Sequence, residues 1–120
     1  MSKIKVTDIT DKINSEIKNG GVTEGVCIVT LDSPCSALAL LEKDNQDVID
    51  DVVNELENIF VPRINYLSKD DPYLVSAISK SAFLSQSKDI LVKDGEVAIG
   101  DKAVYVFDFG DPAGINISCI

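Results

Sequence analysis

Histidine is absent from the 120 residues of this chain. That removes the commonest general base at neutral pH and the commonest nitrogen ligand for zinc. No apolar run approaches the length of a membrane span, so no membrane partner is expected. Basic residues are short relative to acidic ones, 11 against 20, and the resulting net charge of −9 opposes binding to a polyphosphate backbone. Nucleic acid is therefore not an expected partner. Cys27, Cys35 and Cys119 are an odd number without CxxC spacing, and Met1-Ser2-Lys3-Ile4-Lys5 lacks the apolar core of a signal peptide. A reducing cytoplasm is the predicted compartment. Linkers, repeats and low-complexity segments are missing too. With 45% apolar and 26% charged residues, the composition excludes a disordered chain and predicts a single domain over residues 1–120.

What is present is organised around residues 26–60. A strand signal leads into the turn Asp32-Ser33-Pro34-Cys35, a second apolar run and then an amphipathic helix. In that helix Val48, Ile49, Val52, Val53, Leu56, Ile59 and Phe60 recur at three- and four-residue steps, which predicts a helix lying on a sheet. Upstream, Ile4 and Val6 alternate like an edge strand. Ile9, Ile13 and Ile17 mark a short helix with Thr10 as its expected cap and Asn19-Gly20-Gly21 as its stop. Downstream, Asp71 and Pro72 open a Ser-rich helix with Leu74, Ile78 and Ala82 on one side and the serines on a solvated face. Lys93-Asp94-Gly95-Glu96 between apolar runs predicts a hairpin, and residues 104–109 and 115–119 alternate as strands. The order β-α-β-β-α-α-β-β-β-β predicts an α+β fold, a mainly antiparallel or mixed sheet with helices on one face.

Three stretches, in order and spacing, resemble the YjbQ-like family of secondary thiamine-phosphate synthase type. Asp8-Ile9-Thr10-Asp11 followed by Gly21-Val22-Thr23-Glu24-Gly25 is similar to that family's opening motif. Ser33-Pro34-Cys35-Ser36-Ala37-Leu38, with Glu42 and Asp47-Val48 after it, falls where the family carries H-T-T-A-A-I. Asp94-Gly95-Glu96-Val97-Ala98-Ile99-Gly100 and then Val106-Phe107-Asp108-Phe109 resemble its closing segments. The resemblance implies a histidine-lined metal site and a trimeric assembly. The family histidines fall by register on Ser33 and Ile78, a third belongs in the loop shortened here between Arg63 and Asp71, and none is present. A hydroxyl is a poor ligand for a d-block ion and a hydrocarbon is none, so no metal and no cofactor are expected.

The pocket candidates are Ser33, Cys35, Ile78 and Asp108, with no residue assigned a catalytic role. Cys35 reads as a buried or idle thiol, with a nucleophile as the alternative, since no histidine activates it and the local charge is that of Asp32. Cys27 and Cys119 read as core or edge residues. Asp108 shares the face of Val104 and Val106, where a carboxylate is either buried in a pocket or wet at a strand end. Helix capping by Asp44 or Asn45 and by Asp71, and a turn role for Asp32, account for these residues without an ion. The expected function is a non-catalytic binding or structural subunit of a homotrimer, or of a mixed trimer with a histidine-bearing paralogue. The alternative is an enzyme that keeps a modified pocket for a small phosphate- or pyrimidine-containing molecule.

Overall fold

Among residues 4–120, which the computed structural model describes, the elements follow the expected order. They are β1 (Lys5–Asp8), α1 (Thr10–Gly20), β2 (Gly25–Leu31), β3 (Ser36–Glu42), α2 (Gln46–Ile59), α3 (Pro72–Phe83), β4 (Ser87–Lys93), β5 (Glu96–Val97), β6 (Lys102–Asp108) and β7 (Ile115–Cys119). Residues 1–3 of the segment examined for a signal peptide lie outside the described residues.

The strands divide between two sheets in which every pairing is antiparallel, one ordered β1-β6-β3 and the other β5-β4-β2-β7. Alternation along β6 explains the layering, because successive side chains leave a strand on opposite faces. Val104 and Val106 join Leu38, Val29, Ile90 and Val92 in one core, with Ile9, Ile13 and Ile17 of α1 packed into it. Ala103, Tyr105 and Phe107 join Ala37, Ile49, Leu56 and Ala77 in a second core. The three-stranded sheet thus has α2 and α3 on one face, and α1 with the four-stranded sheet on the other.

Local chemistry sets most element ends. Asn45 caps α2 by accepting the Val48 N–H at 3.3 Å, and Asp71 caps α3 by accepting the Tyr73 N–H at 3.0 Å. Gly21 ends α1 in the left-handed region at φ 68°, its N–H bonded to the helix carbonyls. Asp94 and Gly95, both at positive φ, form the tight turn of the β4–β5 hairpin. Thr10 differs from expectation. It lies at the first helical position, where its amide donates to Asp8 Oδ1 at 2.9 Å and its Oγ1 accepts the Val104 N–H at 2.9 Å.

Helix α3 is turned over relative to its apolar pattern. Its buried residues are Ser76, Ala77, Lys80 and Ser81, whereas Tyr73, Leu74, Ile78 and Phe83 are exposed at 52, 40, 37 and 70%. The inward serines replace the solvated face that the sequence predicts. Ser76 Oγ donates to the Phe60 carbonyl, and Ser81 Oγ is buried with no hydrogen-bond partner among the described residues. Cys27 is buried in the core and Cys119 lies on the edge strand β7, as expected, but the two are also paired. They are directly opposed on β2 and β7, with Cα atoms 4.1 Å apart, and are joined as a disulfide. Val26 and Ile120 exchange both backbone bonds alongside, which leaves Cys27 and Cys119 as the closer, non-hydrogen-bonded type of pair.

Candidate functional site

The turn between β2 and β3 is fastened from three directions. Within it, Ser33 Oγ accepts the Cys35 N–H at 3.1 Å, the role the sequence had suggested for Asp32. Asp32 instead reaches across the chain, its Oδ1 accepting the Gly114 N–H at 2.6 Å. A Cβ at Gly114 would lie 2.5 Å from Asp32 Oδ2, so a side chain there would displace the Asp32 carboxylate from this contact. Gln86 Nε2, just beyond α3, donates to the Ser33 carbonyl at 2.5 Å. Phe109 N–H donates to the Cys35 carbonyl at 2.8 Å, bringing the end of β6 alongside.

These contacts frame a cavity of about 440 Å³ whose wall includes Ser33, Cys35, Asp71, Tyr73, Phe109 and Asp111. Ser33 and Cys35 meet in it, and the other two candidates do not. Ile78 turns outward on α3 and is 37% exposed. Asp108 is buried on the opposite face of β6 from Phe107 and Phe109. There its Oδ1 accepts the Ser36 hydroxyl at 2.6 Å and the Ala113 N–H at 3.2 Å. These two bonds tie the β6–β7 loop to β3.

Cys35 is 6% exposed. Burial pushes its thiol above the ordinary value of 9.0, and the charge of Asp111 pushes it further the same way. At neutral pH it stays protonated and is a weak nucleophile. Asp111 lies outside the residues singled out from the sequence, although a carboxylate in the loop Gly110-Asp111-Pro112 was the one available signal.

The site the resemblance implies would hold a metal on imidazoles, and the residues at this place do not fit one. Ser33 is engaged by the turn, Ile78 has no donor atom, and among the described residues no three of Cys, Asp and Glu converge closely enough to hold an ion.

The architecture and this turn define a class, an antiparallel α+β fold with its candidate cavity at the β2–β3 turn. The model of the family "UPF0047 protein YjbQ-like" matches residues 1–116, and the chain belongs to that family. Solved structures agree on the fold. An uncharacterised YjbQ/UPF0047 protein from Clostridium acetobutylicum superposes with a TM-score of 0.90 at 20% identity, covering 100% of this chain and 95% of that one. A YbjQ-like protein of unknown function from Sulfolobus solfataricus gives 0.85 at 16% identity, covering 99% and 88%. A conserved hypothetical protein from Thermus thermophilus gives 0.82 at 16%, covering 100% and 94%. Among curated proteins none matches the chain. No helix among the described residues is long and apolar enough to cross a membrane.

Proposed function

We propose that this chain is a family member without the inherited metal chemistry, acting as a non-catalytic binding or structural subunit of a trimer; the cytoplasm expected from the sequence fits this reading only if the Cys27–Cys119 bond forms there, since reducing compartments disfavour disulfides. The observation that carries the reading is Ile78. By the resemblance it stands at a family histidine position without a donor atom, and it is exposed on the same side of α3 as Leu74, one turn earlier. Exposed apolar surface of this kind is ordinarily covered by a partner. The face is a better interface candidate than β7, whose Ile115, Ile117 and Cys119 pack against the inner core.

The test is light scattering on the purified chain together with elemental analysis. The expected result is a particle of three times the chain mass, broken to monomers by the Leu74→Asp, Ile78→Asp double variant, with no stoichiometric zinc or nickel. A monodisperse monomer, or one tightly held ion per chain, overturns the reading. A histidine-bearing relative copurifying from the native source would mark the mixed trimer.

The cavity at Cys35 favours a second reading, an enzyme acting on a small phosphate- or pyrimidine-containing molecule with its own groups. The raised thiol pKa of Cys35 weighs against it. Complementation of a thiamine-auxotrophic strain would favour this second reading over the first.

A further inference from the structure

Lys80 is a charged side chain packed where an apolar one would be expected. It is 5% exposed, on the inward face of α3. A buried ammonium is tolerated only when its charge and donors are met. Its Nζ lies 3.3 Å from Glu57 Oε2 and 5.8 Å from the centre of the Phe109 ring. Among the described residues Glu57 is the one hydrogen-bond acceptor for Nζ, although an ammonium carries three donors. The two partners are unequally held, since the Lys80 side chain is 7% exposed and that of Glu57 is 45% exposed. Glu57 is free to swing into water, and Lys80 is not.

This ion pair forms part of the wall of a cavity of about 200 Å³, separate from the one at Cys35 but sharing Tyr73 and Phe109 with it. The rest of the wall is mostly apolar, from Ile4, Val61, Pro62 and the two aromatic rings. Ser76 also lines it, but its hydroxyl hydrogen is already given to the Phe60 carbonyl. The cavity therefore offers one cation with spare donors, a displaceable counter-ion and greasy sides.

We propose that this cavity is a binding site for a small carboxylic acid with a compact apolar body, whose carboxylate takes Lys80 over from Glu57 while its body packs against Tyr73 and Phe109. A single ammonium matches a single negative charge. A phosphate monoester calls for several cations or a helix N-terminus, and the net charge of −9 further disfavours a dianion. The site stands apart from the question of the lost metal chemistry and holds whether the protein is a catalyst or not.

Calorimetric titration of the full chain with benzoate and hexanoate tests the proposal, with benzamide as the uncharged match for benzoate. Saturable binding of the acids is expected, and none of benzamide. Lys80→Met should weaken benzoate at least about tenfold, the size of a lost charge-assisted hydrogen bond. Glu57→Gln should strengthen it, because the competing carboxylate is gone and Lys80 remains. Absence of saturable binding to the wild type overturns the proposal. So does binding unaffected by Lys80→Met, weakened by Glu57→Gln, or equalled by benzamide. If Lys80→Met does not fold by circular dichroism, the Glu57→Gln and benzamide arms decide alone.

Discussion

At the scale of single residues, Cys35 has the clearest consequence. Its folded pKa is raised above the unfolded one, first by burial and then by Asp111. The native state therefore holds the thiol proton more tightly than the unfolded chain. The stability this contributes is complete below the unfolded pKa and is lost as pH rises through the folded value. Urea unfolding at a series of pH values above 9.0 should show stability falling more steeply for the wild type than for Cys35→Ala; equal slopes would refute the assignment. Tyr105, pushed up by burial and by the charges of Asp8 and Asp44, adds to the alkaline loss in both proteins. Alternation along β6 was enough to place Asp108 on the face of Val104 and Val106. Its partners were not legible, because Ser36 is 72 residues away in sequence. Asp32 was misread for a similar reason. A carboxylate beside a turn ordinarily serves that turn, and here a serine does so while the aspartate spans 82 residues to Gly114.

For whole elements, the legible features are those fixed by neighbours in sequence. Asp71 before Pro72 specifies a helix start, and the structure uses it so. Asp71→Ala should cost about 1 kcal/mol of stability, read as a lowered denaturant midpoint, whereas Asp70→Ala, remote from the cap amides, should change little. Two features escaped a sequence reading. The face of α3 was inverted because periodicity counts apolar residues, while this helix is seated by polar ones, Ser76 on the Phe60 carbonyl and Lys80 on Glu57. Thr10 was displaced by one position because Asp8 supplies the acceptor for its amide. Both outcomes depend on groups that only the folded chain brings near.

Across the molecule, the ordering of ten elements was readable and the division of their strands into two sheets was not. Strand pairing is decided by which faces must be buried, and β2, with apolar residues on both faces, gives no clue to its neighbours. The same blindness hid the Cys27–Cys119 bond, whose partners are 92 residues apart and meet only through the register of β2 and β7. Closing a loop of that length restricts the unfolded chain by about 4 to 5 kcal/mol in the chain-entropy treatment. Protein purified without reductant and then denatured should titrate with one thiol per chain, that of Cys35, and Cys119→Ser should unfold at markedly lower denaturant. Three thiols per wild-type chain would show the bond is not formed.

The two helices over the three-stranded sheet are held by unlike means. The stripe of Ile49 and Leu56 grips without regard to direction, whereas α3 rests on a handful of aimed bonds, with the Ser81 hydroxyl left idle beneath it. Trimming one apolar side chain under α2 therefore leaves a space its neighbours share, whereas removing one partner under α3 strands a buried polar group.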